Sequence, residues 1–292
     1  MKSDPRPAYQ RGLMYATAKK PERAEAEFTK AIALDPNHAD AYRFRALARY
    51  RLAVLKSWRK DGEKDRAAAL AGAESDLAAA LERGAPVLAV RLLRAHVRDA
   101  RGDRAGAGAD RAATKDAVLK TEADYLVRGW GRLDTDPNGA LADFRKAAEL
   151  NPRSLVALQN QAHVLADKLK DTEGALVVAT KVADLYPEFA PARSGRAVIL
   201  ARLGRRGDAH EEIERARQLS EDAETTYVAA SVYSITSVTH AADQTKALDL
   251  LRQAIRDGYG DLATMAHDAD MNPLRAVQEY QNIMQAAKSL YR

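Results

Sequence analysis

The sequence predicts an all-α chain, a solenoid of about seven helix-turn-helix units followed by a C-terminal capping helix. Three observations carry that expectation. Of 292 residues 46% are hydrophobic but only 6% aromatic, so Ala and Leu must fill the core, as they do between closely packed helices. A small residue recurs at Ala24, Ala73, Ala107, Ala140, Ala175, Ala209 and Ala247, with gaps of 49, 34, 33, 35, 34 and 38. An earlier small residue recurs at Gly12, Ala46, Ala95, Gly129, Ala162, Ala197 and Ser231, with gaps of 34, 49, 34, 33, 35 and 34. Two markers keep one period, and a period of 20 to 50 residues is the signature of stacked repeats.

With these markers as positions 8 and 20 of a 34-residue unit, two further positions test the alignment. Position 24 holds Phe28, Leu77, Arg111, Phe144, Ala179, Ile213 and Leu251; position 27 holds Ala31, Ala80, Thr114, Ala147, Val182, Ala216 and Ala254. Pro36, Pro152 and Pro187 stand where a second helix should stop, because proline cannot continue one. In these residues the chain resembles the tetratricopeptide repeat, from residue 5 to about 258. The resemblance implies a right-handed superhelical solenoid whose hairpins bury their apolar faces only by stacking.

Taken in order, the unit at 5–38 matches the repeat best, with Gly12, Tyr15, Ala24, Phe28, Ala31 and Pro36 in place. The unit at 39–87 carries 15 extra residues between Ala46 and Ala73 and should be an elongated hairpin. Its tip would form a basic prong, for which Arg51, Lys56, Arg59 and Lys60 are the candidates. The unit at 88–121 is degenerate. Arg111 takes the large apolar slot, and Gly102, Gly106 and Gly108 weaken its helices, so it should be the softest point. Regular units follow at 122–154, 155–189, 190–223 and 224–258. Residues 259–292 contain Asp268-Ala269-Asp270-Met271-Asn272-Pro273-Leu274-Arg275, which resembles the segment that closes such arrays in some bacterial multidomain proteins, serine/threonine kinases among them.

Several chemistries are excluded or weak. No cysteine is present, so thiolate catalysis, disulfides and Cys zinc sites are absent, in keeping with a reducing, cytoplasmic setting. No apolar run reaches a membrane span, and the start is polar, unlike a signal peptide. Asp268, Asp270, Asn272 and Glu279 occupy EF-hand positions, but Pro273 stands where that loop needs glycine. His210-Glu211-Glu212-Ile213-Glu214 lacks the second histidine of the zinc-protease helix. Ser57-Trp58-Arg59-Lys60 fits S-x-x-K without partner motifs, and no phosphate-binding loop occurs. No catalytic constellation, metal site or cofactor is expected.

Binding remains. The resemblance implies that the first helix of each hairpin lines a concave groove through positions 5, 9 and 12. The richest stretch is the middle, where Leu92, His96, Leu126, Trp130, Gln159 and His163 should form a pocket for a peptide or helix. The Lys and Asn set with which some family members grip a C-terminal carboxylate is missing, only Asn160 matching it. Residues 1 to 120 carry 25 basic against 16 acidic side chains, net +9. Such a half steers acidic partners and could also meet nucleic acid. An acidic protein is preferred, because few aromatics are available for base stacking. The expectation is a non-catalytic interaction scaffold or adaptor. The alternatives are a regulatory module of a multidomain enzyme such as a kinase, or a basic nucleic-acid-associated adaptor.

Overall fold

The computed structural model describes residues 4–17, 20–56, 63–114 and 117–290, and among them every regular element is helical. The chain divides into two compact units, residues 1–160 and 161–292. In the first, α1 (Arg6–Thr17) pairs with α2 (Pro21–Leu34), α3 (Ala39–Lys56) with α4 (Glu63–Glu82), α5 (Val87–Arg101) with α6 (Arg104–Ala112), and α7 (Glu122–Arg132) with α8 (Pro137–Leu150). The first residues of α9 (Leu155–His163) complete it. The second unit holds α10 (Thr172–Leu185), the pair α11 (Ala190–Arg202) and α12 (Arg206–Leu219), the pair α13 (Ala223–Thr236) and α14 (Ala242–Arg256), and then α15 (Leu262–His267), a 3-10 turn (Ala269–Leu274) and α16 (Gln278–Leu290).

The repeat positions are the core. Ala24, Phe28 and Ala31 of the first hairpin are fully buried, as are Ala73, Leu77 and Ala80, then Ala140, Phe144 and Ala147, then Ala209, Ile213 and Ala216, and finally Ala247, Leu251 and Ala254. The reason for a small residue at position 8 is visible where position 24 is aromatic. A Cβ on Gly12 would lie 2.5 Å from the Phe28 ring, and one on Gly129 would lie 2.6 Å from the Phe144 ring. Each glycine lets the ring lie against the backbone of the facing helix. Pro36, Pro152 and Pro187 each stand two residues beyond a helix end, at Leu34, Leu150 and Leu185.

Departures from the period have local answers. α3 and α4 run 18 and 20 residues against 12 and 14 for α1 and α2, which elongates the second hairpin by about 9 Å. The fifth unit has one extra residue between Ala162 and Ala175, and a π turn over Val164–Lys168 absorbs it. The chain then reverses through Lys170 at φ 59°, where the third and sixth hairpins use Gly102 at φ 84° and Gly204 at φ 73°. In the third hairpin Arg111 does not fill the apolar slot. Its side chain turns to solvent, 48% exposed, and pairs with Asp99.

The C-terminal segment packs on the last hairpin. Met271 and Leu274 are fully buried in one core with Leu251 and Tyr227. Asp268 accepts the Tyr227 hydroxyl at 2.8 Å and the Asp270 amide at 2.9 Å, and its carbonyl accepts from Arg275 at 3.0 Å. Asp270 accepts a two-pronged bond from Arg202 at 2.9 and 2.8 Å. These carboxylates are occupied in holding the segment to its neighbours. His210 likewise bonds Thr236 at 3.0 Å and lies 4.2 Å from the Tyr233 ring.

Candidate functional site

The first unit contains a pocket of about 230 Å³ lined by the first helices of three consecutive hairpins. α3 supplies Arg43, Leu47, Tyr50 and Arg51, α5 supplies Ala89, Leu93 and His96, and α7 with the residue after it supplies Val127, Trp130 and Leu133. These residues follow helical geometry. Ala89, Leu93 and His96 are spaced i, i+4, i+7, as are Leu47 and Tyr50 by three and Val127 and Trp130 by three, so each helix turns one stripe inward. Position 9 lines the pocket on all three helices, through Leu47, His96 and Trp130.

Trp130 is half-buried, and its indole N–H donates to Asn160 Oδ1 at 3.1 Å. That bond fixes the ring edge and leaves part of its face toward the pocket. His96 is exposed, with Nδ1 2.8 Å from the Leu92 carbonyl oxygen and its ring 6.4 Å from Tyr50. Arg43 donates Nε and Nη2 to Asp40 at 3.0 and 2.8 Å and lies 4.1 Å from the Phe44 ring centroid. Arg51 donates to the Ala16 carbonyl oxygen at 2.6 Å, and burial pulls its pKa below the usual value.

Of the six residues expected in the groove, the pocket brings together His96 and Trp130. Leu126 is 1% exposed and belongs to the core, while Leu92 packs against Ala89, Ala123 and Val127, as the inner part of Trp130 also does. On α5 and α7 the inward stripe therefore runs through position 6, Leu93 and Val127, one residue around the helix from position 5. Gln159 lies in the first unit, half-buried, its Oε1 without a hydrogen-bond partner. His163 belongs to the second unit, where Nδ1 lies 2.8 Å from Asp167. The His163 hydrogen bond, opposed by burial and helped by Arg202, lowers Asp167 to about 2. Of the expected prong, Arg51 turns back to α1, and Arg59, Lys60 and the side chain of Lys56 lie outside the described residues.

The electrostatics follow a pattern that apolar periodicity does not reveal. An arginine at position 7 of the first helix meets a buried acid one residue before position 24. Arg11 meets Glu27, Arg45 meets Asp76, Arg94 meets Asp110, Arg128 meets Asp143 and Arg196 meets Glu212, at 2.5 to 2.8 Å. In hairpins two to four a second arginine, one turn later, reaches the same carboxylate: Arg49, Arg98 and Arg132. Burial alone would push Asp110 up, but the bonds and charges of Arg94 and Arg98 outweigh it and hold the carboxyl below its ordinary range. The sequence signal is an arginine 15 or 16 residues before an acid, or 31 in the elongated hairpin.

Comparison with known proteins agrees with this architecture. Residues 5–38 match the tetratricopeptide repeat family model. None of the curated proteins matches. Among solved structures, the human IFIT1 dimer with PPP-AAAA is similar at TM-score 0.51 and 16% identity, over 93% of this chain and 69% of that one. Yeast Tom70 is similar at TM-score 0.50 and 16% identity, over 92% of this chain and 59% of that one. At such identities the likeness is one of fold. Among the described residues no helix is long and apolar enough to cross a membrane.

Proposed function

We propose that this chain, a tetratricopeptide-repeat protein by its first hairpin and by its fold, is a non-catalytic scaffold that holds a peptide or helix of a partner protein on the first helices of hairpins two to four. The observation that supports this reading is the pocket itself. Three helices from consecutive hairpins turn Leu47, Leu93, Val127 and Trp130 toward one concavity, and a partly exposed tryptophan beside aliphatic walls is the usual composition of a binding hot spot. Apolar anchors entering there would be desolvated, and surrounding contacts would exclude water.

The test uses tryptophan fluorescence. The chain has two tryptophans, so Trp58→Phe leaves Trp130 as the reporter. Titration with a synthetic array of N-acetylated, C-amidated dodecapeptides, each carrying one Leu, Phe or Trp-replacing naphthylalanine anchor, should shift Trp130 emission for a subset of peptides. A flat response across all anchors contradicts the reading.

A second reading, a nucleic-acid-associated adaptor, draws on two observations: human IFIT1 shares the fold and was solved with PPP-AAAA, and residues 1–160 carry 30 Lys and Arg against 22 Asp and Glu, net +8. The ion pairs weigh against it. Arg45, Arg49, Arg94, Arg98, Arg128 and Arg132 are committed to carboxylates within the fold, so they are not free to meet phosphates. Binding of a 5′-triphosphate oligoadenylate at physiological salt, with a log–log salt slope near −0.7 per phosphate contact, would favour the second reading over the first.

A further inference from the structure

We propose that the occupant of the pocket is an acidic peptide segment, in which a large apolar side chain enters between Leu47, Leu93 and Trp130 and a neighbouring side-chain carboxylate reaches Arg51. This rests on the scaffold reading above and adds the chemistry of the partner.

Two arginines, Arg43 and Arg51, line the pocket. Arg43 is committed to Asp40 and stacked on Phe44. Arg51 has one bond, to the Ala16 carbonyl near the C-terminal end of α1, and among the described residues no carboxylate holds its charge. That is unlike its neighbours, since Arg45 and Arg49 on the same helix both meet Asp76. A helix end offers about half a negative charge, which leaves a desolvated guanidinium only partly compensated.

A carboxylate entering the pocket would complete it. Guanidinium groups pair with carboxylates through parallel N–H···O bonds, and such bonds strengthen where apolar walls exclude water. Leu47, Leu93, Val127 and Leu133 give the pocket aliphatic walls, with Tyr50 and His96 beside them, so a segment that enters with an apolar side chain and an adjacent side-chain carboxylate matches both the walls and Arg51. The net charge of +8 over residues 1–160 would also speed the encounter of such a segment.

The experiment uses the full-length Trp58→Phe protein and amidated dodecapeptides in which a Leu or Phe anchor is flanked by Glu, Gln or Lys. Glu-flanked peptides should bind about tenfold more tightly than their Gln counterparts, with Trp130 emission as the readout. Arg51→Met should bring the two to equal affinity, and Arg51→Lys should keep part of the preference. Equal affinity of Glu and Gln peptides on the parent protein, with Trp130 still responding, overturns the acidic assignment and leaves the scaffold reading standing. Gln peptides made also with a free C-terminal carboxylate serve as a further arm, and their binding more tightly than the amidated Glu peptides overturns the assignment in favour of a chain end. If Arg51→Met lowers thermal stability while the Glu preference persists, Arg51 only caps α1 and the assignment fails. No Trp130 response from any peptide removes both readings.

Discussion

Arg94 Nη2 stands 2.6 Å from Asp110 Oδ1 across the third hairpin, and Arg98 reaches the other oxygen of the same carboxylate at 2.8 Å. Asp110 is 4% exposed. This hairpin has no large apolar residue at position 24, Arg111 having turned to solvent, so the two-arginine grip on one acid contributes more here than in its neighbours.

Asp110→Ala should therefore destabilise the protein by about 3 kcal/mol, because it leaves two guanidinium groups facing each other without their anion. Glu211→Ala, which removes an exposed partner of Arg215, should change stability by no more than about 0.5 kcal/mol. Urea denaturation of both variants measures the contrast. Asp110 also sets a pH dependence. Its folded pKa lies below the unfolded value, so its stabilisation is complete above the ordinary carboxylate range and is lost as pH falls through the folded value. Melts at descending pH should show a shallower acid loss in Asp110→Asn than in the parent.

Gly129→Ala should cost about 1 to 3 kcal/mol, since the new methyl would lie 2.6 Å from the Phe144 ring and the core must shift to admit it. Other hairpins pair Ala with an aliphatic residue, as Ala46 with Leu77. Combining Gly129→Ala with Phe144→Leu should therefore cost less than the sum of the two single changes. Strict additivity in a double-mutant cycle would show that the ring and the backbone at Gly129 do not compete for space.

Much of this was legible in the sequence. The small residues at positions 8 and 20, the ring at 24 and the stopping prolines follow from steric rules, and Gly12, Phe28, Ala140 and Pro152 behave as their spacing requires. The arginine clamps were not, because a charge on a helix with charged neighbours resembles a solvated face until the partner helix is placed beside it. The lining of the pocket was less legible. Position 9 lined the pocket through His96 and Trp130, but a rotation of one residue put Leu126 in the core and Leu93 and Val127 on the wall.

Lys170→Gly should stabilise the second unit by about 0.5 to 1 kcal/mol. At φ 59° a side chain is strained, whereas glycine adopts that conformation freely and loses only part of the gain to its greater unfolded entropy. Thermal melts of the single variant decide it, and an unchanged or lower midpoint would mean that the lysine side chain contributes contacts worth more than the strain.

Hydrogen exchange should be fastest in the third hairpin, over residues 101–114. α6 has only nine residues, among them Gly106 and Gly108, and a short helix with two glycines opens at low cost. Protection there equal to that of α8 would contradict the expected weak link.

Trp130, half-buried against Ala89, Ala123 and Val127, is proposed to anchor a partner through the part of its ring that lines the pocket. Trp130→Ala separates anchoring from packing when stability and peptide affinity are measured on the same sample. The expected result is an affinity loss of at least about 2 kcal/mol, chiefly through faster dissociation, with the melting midpoint nearly unchanged. A large drop in the midpoint, with affinity per folded molecule preserved, would contradict it and return Trp130 to the packing of α7 against its neighbours.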